Sequence, residues 1–127
     1  MAAAPQYAAT PCTAMCQVTT ANTARDGTGT LVDLITAGAN GTRVDDIMFS
    51  ATGNSVAGVI TLFIYDGTYT RLILEMATTA ITASTTAVAW KQQFTNLGII
   101  LKSGWKIKVG ITTTQTINCI VTRGGDL

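Results

Sequence analysis

The chain has 127 residues, eight basic and seven acidic side chains, a net charge of +1 and no histidine. One domain fits this length. The composition excludes a histidine-based triad, a histidine-ligated metal and a histidine pH switch. It also leaves no basic excess for binding nucleic acid through phosphates. Apolar residues at 47 % with so little net charge exclude a disordered chain.

Residues 1 to 16 read as an extended N-terminal arm rich in Ala, Pro and Thr, with Tyr7 and Met15 as its large side chains. No charge precedes Arg25, so the basic start of a secretory signal is missing. Ile47 to Tyr65 is also uncharged. Ser50, Thr52, Gly53, Asn54 and Ser55 break it into two strands and a loop rather than a membrane helix. A soluble, unprocessed chain without membrane contact is expected.

From Gln17 onward the pattern is β. Gln17 to Ala24 suits a polar edge strand, and Arg25-Asp26-Gly27 a turn. Thr30 to Thr36 sets Leu31, Asp33 and Ile35 against Val32 and Leu34 by period two. Asn40-Gly41 is a turn pair. In Arg43 to Ala51, residues Ile47, Phe49 and Ala51 share a face, while Asp45-Asp46 interrupts the alternation and marks a bulge. Gly58 to Tyr65 is apolar on both faces, as a strand covered on both sides would be. Asp66-Gly67 signals a hairpin, and Arg71 to Ala77 returns with Leu72, Leu74 and Met76 on one face. Val88, Trp90 and Phe94 share parity. Ile99-Ile100-Leu101 is a short strand. Trp105, Ile107, Val109 and Ile111 alternate with Lys106, Lys108 and Gly110, and Trp105 is expected to be buried. Ile117, Cys119 and Val121 form the last strand.

Short strands divided by Gly, Asn and Asp turns, with no convincing helix, predict an all-β fold. The expected architecture is a single antiparallel β-sandwich, jelly-roll-like, over residues 17–127, with the arm over residues 1–16.

The chemistry is sparse. Asp26 and Asp66 belong to turns. Asp45 and Asp46 would point to opposite faces of a strand, which is awkward for a shared cation. A serine or threonine nucleophile has no histidine to activate it. Lys102, Lys106 and Lys108 read as a solvated strip. No catalytic residue, cofactor, metal or small-molecule substrate is expected. Cys12, Cys16 and Cys119 read as three small, partly buried thiols, with a Cys12–Cys16 bridge or an interchain bond as the alternative.

Charge scarcity sets the surface. A folded 13.2 kDa monomer exposes about 6400 Å². At 12 % charged residues it carries less than half the charge of an ordinary domain, about 25 %. Low charge favours association, so part of the surface is expected to be an interface.

Several segments point to one family. They are the run Leu31-Val32-Asp33-Leu34-Ile35-Thr36-Ala37-Gly38-Ala39-Asn40-Gly41-Thr42-Arg43-Val44-Asp45, then Ala51-Thr52-Gly53, then Ala57-Gly58 leading into Leu62-Phe63-Ile64-Tyr65-Asp66-Gly67-Thr68. Thr70-Arg71-Leu72 and the ending Gly124-Gly125-Asp126-Leu127 follow. Their order and spacing over roughly residues 28 to 127 resemble small virion structural proteins of tailed bacteriophages. The resemblance implies a non-enzymatic capsid decoration (cement) protein on the virion surface, assembled in the host cytoplasm. It also implies a trimer and the major capsid protein as partner. On this expectation Tyr7 and Met15 anchor the arm on a neighbouring subunit. Val59, Phe63 and Ile73 form either an outward apolar patch for oligomerisation or a second core layer between the two sheets. The rival reading is a tail-fibre or receptor-binding module, with Trp90 as the aromatic that meets a glycan.

Overall fold

The computed structural model describes residues 10–11 and 14–127. Ten strands form in chain order. They are β1 (Thr10–Pro11), β2 (Met15–Val18), β3 (Val32–Thr36), β4 (Thr42–Ala51), β5 (Gly58–Tyr65), β6 (Thr70–Thr78), β7 (Lys91–Phe94), β8 (Ile99–Leu101), β9 (Lys106–Ile111) and β10 (Ile117–Asp126). One sheet has six strands: β1 and β2 both pair with β10, β10 with β4, and β4 with both β7 and β8. The other runs β3-β9-β5-β6. Every pairing within these sheets is antiparallel.

The connectivity is that of one long hairpin wound up. The chain folds back at residues 66–69, where β5 meets β6. Outward from that turn, β4 meets β7 and β8, β3 meets β9, and β1 and β2 meet β10. Apart from the β5–β6 hairpin, and with β1–β2 and β7–β8 each taken as one broken strand, successive strands alternate between sheets. That is a jelly roll, an all-β sandwich as expected.

The two inner faces supply one core. Val18, Val44, Ile47, Phe49, Leu101, Ile117, Cys119 and Val121 come from the six-stranded sheet. Leu34, Ile35, Ile60, Leu62, Met76, Ile107, Val109 and Ile111 come from the other. Phe94 meets Phe49 edge to face at 6.1 Å between ring centroids, a favoured aromatic geometry. Trp90 closes the core at 6 % exposure.

Bulges decide which side chains reach this core. Val44 and Ile47 are both fully buried although three residues apart. Asp45 on β4 and Thr122 on β10 fall out of register between them, so the interruption at Asp45-Asp46 is a bulge. A shift in β3 skips Leu34, and Leu34 and Ile35 both turn inward, which corrects the expected alternation there. A third shift leaves Ile73 unmatched, so Leu72 pairs with Phe63 rather than following the parity of Leu74 and Met76.

The N-terminal part differs from expectation. The first long strand is Met15–Val18, so it begins inside the expected arm and ends well before Ala24. Residues 19–31 then form a loop across the outer face of the four-stranded sheet. Ala21 bridges Ile111 in parallel, and the Asn22 N–H donates to the Ile111 carbonyl at 2.7 Å. Further along, Arg25 pairs with Glu75 on β6. Gly27, at φ 90°, lies so close to Thr70 that a Cβ there would stand 2.7 Å from its backbone oxygen. Leu31 then packs over Gly110, where an added Cβ would sit 2.9 Å from Leu31 Cδ2 and 3.9 Å from Phe63 Cε1. This loop covers the second apolar face of β5.

Candidate docking face

The two sheets present different outer faces. On the four-stranded sheet the loop of residues 19–31 covers one part and ion pairs the rest. Lys106 and Lys108 reach Asp33 at 3.0 and 3.2 Å, and Lys108 also stands over the Tyr65 ring at 4.7 Å. Burial alone would raise the Asp33 carboxyl, but hydrogen bonds and charge from the two lysines outweigh it and hold the group below its ordinary range. Lys102 stands over the half-buried Trp105 ring at 5.9 Å. The lysines are therefore engaged one by one with an acid or a ring.

The outer face of the six-stranded sheet is built otherwise. Strand register aligns Met15, Ile120, Met48 and Gln93 in one row across it. The next row is Gln17, Asn118, Ser50 and Lys91. Each alternates with an inward residue of its own strand, which is why two apolar-rich strands can carry a neutral outer surface. Lys91 is the one charge in these rows. Gln17 Nε2 donates to Asn118 Oδ1 at 2.9 Å, tying the edge strand to its neighbour. Met15 is 66 % exposed, and Ile100, further along on β8, is 64 % exposed. A groove of about 360 Å³ lies between Met15, Cys16, Gln17, Asn118 and Ile120.

The residues expected to make contacts are divided by this architecture. Tyr7 lies outside the described residues, as does Cys12. Met15 is on the outer face of the six-stranded sheet. Val59, Phe63 and Ile73 belong to the other sheet. Phe63 has no exposed surface, and Val59 is half-buried, with its N–H donating to Thr112 Oγ1 at 2.9 Å. Ile73 packs against the core from the bulge. Phe63 matches neither reading: it lies on the outer side of its sheet beneath the loop of residues 19–31, not between the sheets, and offers nothing to a second copy unless that loop moves.

Asp45 is 3 % exposed and takes the Arg43 guanidinium at 3.0 Å. Asp46 accepts from the Asn96 N–H at 3.0 Å and meets Arg123 at 3.3 Å. The adjacent carboxylates thus serve different partners, one the turn at Asn96. Trp90, the aromatic of the receptor-binding reading, is in the core.

Sequence reasoning missed Met48, Ile120 and Ile100. The signal for the first two was present: they alternate with Ile47 and Phe49, and with Cys119 and Val121.

No protein-family profile matches the chain, and no curated protein matches it.

Proposed function

We propose that this chain is a non-enzymatic virion structural protein, a decoration (cement) protein that binds the outside of a phage head shell. The observation that carries this reading is on the outer face of the six-stranded sheet: two adjacent rows with Lys91 as their one charge, Met15, Ile120 and Met48 in one of them and Met15 exposed at its edge. The family resemblance of residues 28 to 127 supports the same role, with the major capsid protein as partner and a trimer as the working state.

Size supports a contribution from the N-terminal segment. Four strands about 4.8 Å apart, with a longest strand of ten residues rising about 3.4 Å each, span roughly 19 by 34 Å. That is on the order of 650 Å², against about 800 Å² per partner in a stable interface. The sheet face alone falls short, so on this proposal the remainder falls to the N-terminal arm of residues 1–16.

Quantitative mass spectrometry of purified particles tests the reading. About one copy per shell subunit is the expected result. A few copies per particle would move the protein to the tail or a vertex, the receptor-binding alternative. Absence from particles would overturn both.

A further inference from the structure

We propose that Cys16 and Cys119 are a redox pair that closes a reversible disulfide between the edge strand β2 and the central strand β10. The two residues are direct register partners. The Val121 N–H donates to the Ala14 carbonyl at 2.8 Å, which makes Ala14 and Val121 a hydrogen-bonded pair of the antiparallel ladder. Two residues further along both strands, Cys16 and Cys119 occupy the next such site. Directly opposite residues there stand about 5.5 Å apart at Cα. Disulfides are commonest at about 5.5–6 Å at Cα, and closing this one draws the edge strand in so that the Cβ atoms move from about 5.5 Å to within about 4.5 Å. Both side chains lie on the core side: Cys119 is fully buried and Cys16 packs against the same cluster. Both are free thiols in this structure.

The two thiols are not equivalent. The Cys119 thiol hydrogen-bonds to Cys16 and draws Cys16 below the ordinary thiol range, while the same contact and burial push Cys119 up. Cys16 is only partly buried and sits on an edge strand, so a small disulfide reaches it at the sheet edge. Cys16 is the attacking sulfur and Cys119 the resolving one.

The oxidant is a small-molecule disulfide such as oxidised glutathione. The Cys16 thiolate attacks one of its sulfurs, forms a mixed disulfide and releases one glutathione thiolate, which takes up the Cys16 proton. Cys119 then loses its proton and attacks Cys16 Sγ, releasing the second glutathione, which takes up that proton. Two cysteines are oxidised by two electrons, and one glutathione disulfide is reduced to two thiols. The bridge fixes the root of the N-terminal segment to the core, inside a closed loop of roughly 100 residues.

The test uses the full chain with Cys12→Ser, in which Cys16 and Cys119 are the only thiols left. It is equilibrated with oxidised glutathione, alkylated and digested with trypsin. The expected result is a monomer with neither thiol alkylated. The peptides ending at Arg25 and Arg123 should be linked, and Tm should rise by about 10 °C, reversed by dithiothreitol. Cys16→Ser in the otherwise unchanged chain should abolish the rise. Two alkylated thiols in the oxidised Cys12→Ser chain, a stable glutathione adduct on Cys16, or a covalent dimer would each overturn the proposal. So would a Cys12–Cys16 link in the unmodified chain.

Discussion

Asn22 holds the loop that covers the outer face of β5, and its removal is the sharpest test of that arrangement. Its Nδ2 donates to the Thr28 and Thr30 carbonyls at 2.9 and 3.0 Å, and its Oδ1 accepts the Ala24 N–H at 3.0 Å. Asn22→Ala removes all three. At about 0.5–1 kcal/mol net for each partly exposed bond, the loss comes to about 2 kcal/mol. For a chain of this length that lowers Tm by roughly 6–12 °C. The local consequence is more specific. The Asn22 N–H bond to Ile111 keeps its own partners, so its amide reports loop opening rather than a deleted contact. A loss of 2 kcal/mol makes that amide exchange about 30-fold faster by hydrogen exchange. Thr23→Ala, at an exposed neighbouring position, should change Tm by less than about 2 °C. An Asn22→Ala variant whose residue-22 amide exchanges within threefold of the parent would refute the reasoning. The loop would then be held by Leu31 and the Arg25–Glu75 pair instead.

Gly124→Ala should be costly because the added Cβ meets backbone, 2.4 Å from the Arg43 oxygen and 3.3 Å from Val44 Cα. About 3 kcal/mol and on the order of 10 °C in Tm are expected by calorimetry, while Gly53→Ala, with open space around it, should be neutral. Gln115 is buried and bonds Val56 through both backbone groups, at 3.2 Å as acceptor and 3.1 Å as donor, with further donation to Thr78 and Thr113. Urea titration of Gln115→Ala should show a loss of about 2–3 kcal/mol, since the Val56 N–H loses its partner. Asp26 is held low by the Thr28 hydroxyl and N–H, Asp66 by the Tyr69 and Thr68 N–H groups, and Asp33 by its lysines against burial. Carboxyls lowered by folding add stability above their unfolded value of about 3.9 and lose it as pH falls through the folded values. Tm should therefore be flat from about pH 7 to 5 and fall below about pH 4, and Asp33→Asn should flatten that fall.

Side-chain period carried most of the fold. Ile47 and Phe49, Ile107 to Ile111, and Ile117 to Val121 were readable because each run keeps one parity over its whole strand. Asp66-Gly67 was readable because the turn is made by local atoms: Asp66 Oδ1 takes the Thr68 and Tyr69 N–H groups at 2.9 and 2.7 Å. Parity failed where a bulge resets it, at Leu34 and Ile73, because a one-residue slip leaves no mark in an apolar run. It failed at Val88 for a different reason. That residue is 78 % exposed in the loop before β7, so sharing parity with Trp90 meant nothing outside a strand. The cover over Phe63 was illegible because it is made by a polar, aperiodic loop held by Asn22 rather than by a strand. The candidate docking face was half legible: the parity that buries Ile47, Phe49, Cys119 and Val121 also turns Met48 and Ile120 outward.

The distribution of charge makes a final prediction possible. Arg25 with Glu75, Lys106 and Lys108 with Asp33, Arg43 with Asp45 and Arg123 with Asp46 absorb most of the ionised side chains. Arg43, Asp45, Asp46 and Arg123 lie toward one end of the six-stranded sheet, and the Met15 and Gln17 rows keep Lys91 alone. On the proposed function, docking through these rows would rest on apolar contact and neutral hydrogen bonds, which salt does not screen, rather than on long-range attraction. Binding to isolated shells should therefore change less than about threefold between roughly 0.05 and 0.5 M salt, a range over which the Debye length shrinks about threefold. Ile120→Lys, a charge at the centre of the Met15 row, should weaken binding at least tenfold, since an unpaired ammonium would be buried in the contact. Steep loss of binding with salt, together with unchanged binding by Ile120→Lys, would transfer the contact to the lysine-bearing outer face of the four-stranded sheet.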